Sequence, residues 1–348
     1  NGRRWSAANA YLRPALTRAN GHLIRALARR IVIENGHATG VEYRDAAGLA
    51  EVRAGREVVL SGGAFNSPQL LQLSGIGREE DLAPHGIEVQ HELKGVGHNL
   101  QDHIDFVFAY KTRDTDNIGI GLRATFKIIG EAFKWRKDGN SMLSSTIAEA
   151  GSFFKTDSAL DRPDVQTHFC VAVVDNHARR LHLGHGYSCH VCVLRPHSRG
   201  TVTLNSADPH AAPRIDPQFL SDDRDLQTLI KGAKMTRQAL EAPALAGYKH
   251  KEMFGVHDNM TDAEWEEHIR SRADTVYHPV GTCKMGVDEM AVVDPALKVH
   301  GVEGLRVVDA SIMPTIIGGN TNAPTVMIAE KAAEMIFQDQ QKSQKSVQ

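Results

Sequence analysis

No stretch of this sequence stays apolar for the roughly 18 residues that a membrane-crossing helix needs, so no spanning segment is expected. An excess of one charge is also missing, since 40 basic residues face 42 acidic ones. A nucleic-acid partner calls for a basic face, and that balance argues against one. Cysteine is scarce: Cys170, Cys189, Cys192 and Cys283 are the only four. Cys189-His190-Val191-Cys192 has the spacing of a metal or redox pair. Tyr187 to Leu194 reads as a strand, however, where residues three apart point to opposite faces. Buried free thiols in a reducing cytosol are the better reading, and no metal site is expected. Histidine is plentiful at 18, yet no pair has the H-E-x-x-H spacing of a zinc helix. His177, His182, His185 and His190 run from a polar loop into a strand and read as solvated. Internal repeats and a signal-like start are lacking. Residue 1 is Asn and not Met, so the expected start of the gene product lies elsewhere.

What is present is enough for two packed domains: 348 residues, 41% of them hydrophobic. Ser6 begins a short helix through Leu16. Asn35-Gly36 marks a turn, and Gly40 to Tyr43 and Glu51 to Ser61 read as strands. Gly62-Gly63 breaks the second, and Ser67-Pro68 reads as the start of a helix that Gly75 ends. The middle changes style. Val165 to Val174, Tyr187 to Arg195 and Thr201 to Asn205 read as strands of an antiparallel sheet with one buried face, the last two joined by a hairpin turn, His197-Ser198-Arg199-Gly200. Ser221 precedes a helix carrying Leu226, Leu229, Ile230, Ala233 and Leu240 at helical spacing. Thr261 and Glu264 form a capping box for another, with Trp265 and Ile269 inward. Leu305 to Asp309 reads as a short strand and Pro324 to Phe337 as a helix, with fraying from about Gln338. Gly119-Ile120-Gly121-Leu122-Arg123-Ala124 matches a dinucleotide fingerprint by letters only, because no strand ends directly before it.

Three blocks carry a stronger signal. Gly63-Ala-Phe-Asn-Ser-Pro-Gln-Leu-Leu-Gln-Leu-Ser-Gly-Ile-Gly77 resembles the second signature of the glucose–methanol–choline oxidoreductases. Gly95-Val-Gly-His-Asn-Leu-Gln-Asp-His103 resembles that family's flavin-proximal loop. Tyr277-His-Pro-Val-Gly-Thr-Cys-Lys-Met-Gly286, Gly304 to Pro314 and Gly318 to Thr325 resemble its carboxy-terminal half. The blocks keep the family's order over roughly residues 4 to 338.

The resemblance implies an α/β (overall α+β) fold in which a partial FAD-binding, Rossmann-like domain is interleaved with an antiparallel-sheet substrate domain. The expected boundaries are 1–103 for the first part of the flavin domain, 104–274 for the substrate domain and 275–340 for the rest of the flavin domain. It further implies bound FAD and oxidation of an alcohol to an aldehyde by hydride transfer to flavin N5. His278 would be the base and Asn320 its hydrogen-bond partner. Physical chemistry agrees: the carbinol must lose its hydroxyl proton as hydride leaves, and an imidazole with an ordinary pKa near 6.5 can take it. Asn320 can donate to the developing alkoxide. Val32 would lie near the adenine, Asp309 and Ala310 near the pyrophosphate and ribitol, with Asn99, Asn322 and Thr325 also at the cofactor. The start of the last helix would favour the anionic reduced flavin.

Within the family the likeness is to the choline dehydrogenase and aliphatic alcohol dehydrogenase branch. An uncharged primary alcohol is the first reading and choline the second, for which Glu149 and Tyr277 could receive a quaternary ammonium. A quinone or another acceptor would re-oxidise the flavin, in a cytoplasmic protein peripheral to the inner membrane. The family's opening strand, G-x-G-x-x-G and helix have no match here. The expectation is weak FAD binding by this chain alone, and an inactive truncated product is the alternative of another class.

Overall fold

Two compact units, each assembled from separated stretches of chain, make up the protein. Asn1–Ile24, Ile104–Val193 and Leu226–Asp274 form the first; Arg25–His103, Leu194–Asp225 and Thr275–Gln348 form the second. The structure, a computed structural model, describes residues 2–345.

In the first unit, β-branched and aromatic residues build an antiparallel sheet. Its strands run in the order Ala148–Phe154, Val165–Cys170, Gly184–Val193, Ile104–Thr112 and Lys251–Glu252. In this register Cys189 lies opposite Phe169 and Phe108, while Cys192 lies opposite Gln166 and Asp105. The two thiols are therefore on opposite faces, and all four cysteines are buried and outside any disulfide among the described residues. The helix Asp223–Leu240 buries Leu226, Leu229, Ile230, Ala233 and Leu240. It approaches the sheet so closely that a Cβ on Gly232 would sit 3.0 Å from Val165 Cγ1. The Thr261–Glu264 capping box forms as the letters imply, with Thr261 N donating to Glu264 Oε2 at 2.7 Å. Trp265 and Ile269 turn inward.

Two readings of this region change. The histidines are not simply solvated. His177, His182 and His190 each meet a carboxylate, of Asp274, Asp175 and Asp105 respectively, at 2.6 to 2.8 Å. Nor do Gly184–Val193 and Gly200–Thr203 form a hairpin, because Gly200–Thr203 pairs with Arg214–Asp216 and His98–Leu100 in a separate sheet. Asp225 takes the turn amides instead, accepting from His197 N, Ser198 N and Ser198 Oγ at 2.6 to 2.8 Å. The letters Gly119 to Ala124 fall on a two-residue strand, Gly119–Ile120, and the helix Leu122–Asp138. That strand pairs antiparallel with Gly184 and His185, which is not the parallel context of a dinucleotide site.

The second unit opens with Leu27–Glu34 and His37–Asp45, a hairpin closed by Asn35 and Gly36 at φ 53° and 76°, values that suit the two-residue turns of twisted hairpins. The stretch read as one strand from Glu51 splits into Gly48–Arg53 and Val58–Leu60. Val58–Leu60 pairs in parallel with Leu305–Val307, and Ile31, Leu71, Val280, Val293, Val307 and Ile328 join one core around this pair. The helix expected from Ser67 starts four residues earlier and spans Gly63–Leu73, with Pro68 inside it. Proline there removes the N–H that would have bonded Ala64 O. Thr282 Oγ1 supplies the replacement donor at 2.7 Å, so the helix tolerates it. The last helix does not stop near Phe337 but spans Asn322–Lys345. Asp339 holds it: Arg306 Nη2 donates to its carboxylate at 2.7 Å and Lys298 Nζ stands at 2.9 Å. These partners lower the Asp339 pKa to about 2, Lys298 contributing most. The expected fraying of residues 346–348 lies outside the described residues.

The buried His190–Asp105 pair gives a test. Burial disfavours the cation, but the Asp105 charge and hydrogen bond at 2.6 Å outweigh it, and the His190 pKa is pushed up to about 10. An unfolded histidine titrates near 6.5. The pair's stabilisation is therefore complete below about pH 6.5 and is lost as pH rises through about 10. We predict that His190→Gln costs about 3–5 kcal/mol near pH 6, by leaving the buried Asp105 charge without its cation. Denaturant midpoints of parent and variant should converge across that window; a gap independent of pH would contradict the assignment.

Candidate active site

Between Leu100 and Ile104 the chain carries three consecutive polar residues, Gln101, Asp102 and His103, all buried. Buried polar groups must find partners, and here they find them on the segments after Thr275 and Pro314. Asn99 Nδ2 donates to Gly281 O at 3.1 Å and to Pro314 O at 3.2 Å. The approach requires glycine, since a Cβ on Gly281 would lie 2.4 Å from Asn99 O. Gln101 Nε2 donates to Pro314 O at 3.1 Å, and its Oε1 accepts from Ile316 N at 3.1 Å. The backbones of Gln101 and Val280 exchange a pair of hydrogen bonds at 3.0 and 2.9 Å.

Asp102 grips the segment that presents His278. Its Oδ1 accepts from His278 N at 2.8 Å, and its Oδ2 accepts from Thr275 Oγ1, which in turn accepts from Tyr277 N at 2.8 Å. This grip matters because Tyr277 has φ 68°, a left-handed conformation that costs a bulky residue free energy. The carboxylate's bonds offset that strain and set where His278 begins.

The His278 ring sits in a chain of contacts whose proton positions follow from donor and acceptor chemistry. His103 Nε2 stands 3.1 Å from Ile317 O. A carbonyl only accepts, so Nε2 of His103 carries its proton and Nδ1 of the neutral ring is a lone pair. His278 Nδ1 lies 3.0 Å from that lone pair and must be the donor. The neutral His278 ring then has its lone pair at Nε2, where Asn320 Nδ2 donates at 3.2 Å. The two histidine rings meet edge to face, with centroids 5.1 Å apart. His278 itself is buried, at 8% exposure.

His278 and Asn320, 42 residues apart in sequence, are thus within hydrogen-bond distance. Asp309 sits in the same unit but spends its carboxylate on protein donors. Oδ2 accepts from Gly63 N at 2.9 Å and Ser67 Oγ at 2.6 Å, and Oδ1 accepts from Ser311 N at 2.8 Å and from Ser311 Oγ. It therefore ties the glycine turn before the helix Gly63–Leu73 to the turn after Leu305–Val307. Ala310 opens the short helix Ala310–Ile312. Asn322 is the first residue of the last helix, and Thr325 bonds back to Thr321 O through both N and Oγ1. Asn322 and Ala323 are the first residues of a 24-residue helix, where amides have no intrahelical acceptor and the dipole is positive. Val32 lies in the strand Leu27–Glu34, paired with Gly40. Glu149 lies in the exposed strand Ala148–Phe154 of the first unit, whereas Tyr277 belongs to the second unit and is 61% exposed. Sequence reading assigned no role to Asp102 or His103. The available signal was three polar residues in a row where Leu100 and Ile104 continue an apolar pattern.

Comparison with known proteins places this geometry in context. The family model described as GMC oxidoreductase matches in two parts, at residues 1–105 and 196–329. The chain is 43% identical over 339 residues to the alcohol dehydrogenase [acceptor] of Pseudomonas putida, covering 97% of this chain and 61% of that protein. It is 41% identical over 339 residues to an oxygen-dependent choline dehydrogenase of Rhizobium rhizogenes, with the same coverages. Among solved structures, pyridoxine 4-oxidase from Mesorbium loti superposes with a TM-score of 0.82 at 29% identity, covering 96% of this chain and 62% of that one. The chain thus spans about three fifths of the length of the relatives it matches.

The Asp102 grip is testable by folding alone. Asp102→Ala leaves His278 N–H buried without its acceptor and frees the Thr275 hydroxyl that holds the amide of strained Tyr277. We expect it to lower unfolding free energy by about 1–3 kcal/mol, measured by chemical denaturation. A change within about 0.5 kcal/mol, the range of an ordinary surface substitution, would show that the grip contributes nothing.

Proposed function

The chain belongs to the GMC oxidoreductase family, and from that premise we propose that it serves FAD-dependent oxidation of a primary alcohol to an aldehyde, with His278 as base and Asn320 as hydrogen-bond partner. The observation that carries the reading is the Nε2 lone pair of His278 facing Asn320 Nδ2 at 3.2 Å. A carbinol oxygen entering between them can donate its proton to Nε2 and accept from Asn320. FAD, when bound, supplies the acceptor for the hydride at N5. His278 takes the hydroxyl proton and becomes an imidazolium, whose Nδ1–H still donates to the lone pair of His103. His103 thus holds the ring and favours the charge, as the third member of a catalytic triad does for its base. Asn320 donates to the oxygen as negative charge develops on it.

The residues present fit the cofactor. The first-turn amides of the last helix, at Asn322 and Ala323, suit an anionic edge. Asp309 would act at the cofactor by holding the Gly62–Gly63 turn, because its own oxygens already accept from Gly63, Ser67 and Ser311. Val32, Asn99, Ala310 and Thr325 complete the proposed flavin contacts. Residues 1–103 and 275–340 would serve as the flavin domain and 104–274 as the substrate domain.

The substrate we propose is an uncharged primary alcohol, in line with the relative of highest quoted identity, named an alcohol dehydrogenase. Choline is the second reading, with Glu149 and Tyr277 as the groups to substitute. A quinone or similar acceptor would re-oxidise the flavin, in a cytoplasmic protein peripheral to the inner membrane. Among the described residues no helix is long and apolar enough to cross a membrane. The test is flavin absorbance of the purified holoprotein, with dye-coupled oxidation of a medium-chain primary alcohol and of choline. His278→Ala should retain flavin and lower kcat/KM by roughly 10²–10⁴-fold, and Asn320→Ala by roughly a hundredfold. Flavin-free protein, or a His278→Ala variant as active as its parent, would sink the reading.

A further inference from the structure

Apolar residues on a surface helix normally face the core. The helix Leu122–Asp138 has a second apolar stripe facing the other way. Ala124 and Glu131 are buried on one side. Leu122, Phe126, Ile129 and Phe133, spaced by four, three and four, run along the opposite side at 78, 68, 49 and 72% exposure. The spacing puts all four within about a 60° arc. Cations flank that arc, with Arg123 and Lys134 on one side and Arg136 on the other. Over its length the helix has five basic residues, completed by Lys127 and Lys137, against Glu131 and Asp138. Glu131 is not an outward charge, for it accepts from Lys134 Nζ at 2.5 Å and from Met142 N at 3.0 Å.

A second element repeats the pattern beside the start of this helix. Gly184 pairs with Ile120, two residues before Leu122. The loop leading into Gly184 reads Arg179-Arg180-Leu181-His182-Leu183, with both arginines exposed and Leu181 and Leu183 exposed by 72 and 75%. The leucines do not point outward for want of structure. His182 between them turns inward to Asp175 at 2.8 Å. Asp175 also accepts from Arg272 at 3.2 Å, and Arg272 covers the Phe254 ring at 3.7 Å. With His182 anchored, its neighbours are held outward.

We propose that this basic-flanked apolar surface, formed by the Leu122–Asp138 helix and the Arg179–Leu183 loop, docks the protein on an anionic lipid surface. The inference deepens the peripheral placement given above and rests on that reading, but it needs nothing of the flavin chemistry. Charge complementarity selects the occupant. Phenylalanine and leucine enter the acyl boundary while arginine and lysine alongside reach phosphate oxygens. Cations on both flanks suit a plane of anionic headgroups better than an apolar protein groove, which would have to bury them.

The test is sedimentation of the holoprotein with sucrose-loaded vesicles of phosphatidylcholine and phosphatidylglycerol, against vesicles of phosphatidylcholine alone. We expect binding to the anionic vesicles, weakened by high salt and reduced by roughly tenfold or more in the Phe126→Ser/Phe133→Ser double variant and in Arg123→Glu/Arg136→Glu. Circular dichroism, flavin content and dye-coupled activity on a dissolved alcohol should stay at parental values in both variants, which separates this proposal from the oxidation reading. Absence of binding, equal binding to both vesicle types, or unchanged binding by both variants would overturn it. So would a dimer in sedimentation velocity that the Phe variant dissolves while vesicle binding persists, since the stripe would then belong to a second copy.

Discussion

The hydrogen bond from His103 Nε2 to Ile317 O fixes the chemistry of the site from two rings away. Because a carbonyl cannot donate, one proton position propagates outward: His103 must accept at Nδ1, His278 must donate there, and Nε2 of His278 becomes the basic atom. Asn320 then faces that atom with a donor. An imidazole alone could adopt either tautomer. In this arrangement the Ile317 carbonyl selects the tautomer that leaves a lone pair facing Asn320.

Two buried carboxylates supply the rigidity that this selection requires. Asp102 bonds the backbone of His278 and, through Thr275, the amide of strained Tyr277. Asp309 joins the Gly63 turn to Ser311 with both oxygens occupied. Neither carboxylate is left without donors. Each is neutralised by protein N–H and O–H donors, which makes its burial affordable and its position fixed. The first turn of the last helix and His278 are thereby held within one unit whose core includes Val280, Val307 and Ile328.

The sequence was most legible where local rules act alone. Thr261 with Glu264, Asn35-Gly36 and the Leu226–Leu240 spacing follow from capping, turn and helical periodicity, and those elements form. It was less legible where a distant residue changes the local outcome. Pro68 reads as a helix start until Thr282 is seen to serve Ala64 O. Fraying after Phe337 fails because Arg306 and Lys298 hold Asp339. The hairpin at His197 fails because Asp225 takes its amides. In the site, His278 and Asn320 were named through blocks of resemblance. Asp102 and His103 carried no such label, although their burial between Leu100 and Ile104 demands partners that only the folded chain brings near.

The central claim is the tautomer of His278, and nitrogen-15 spectroscopy of the histidine rings tests it most directly. With labelled histidine and long-range proton–nitrogen correlations assigned by His278→Gln and His103→Gln variants, the account predicts a neutral His278 protonated at Nδ1 beside a His103 protonated at Nε2. A resting His278 protonated at Nε2, or on both nitrogens, would contradict it.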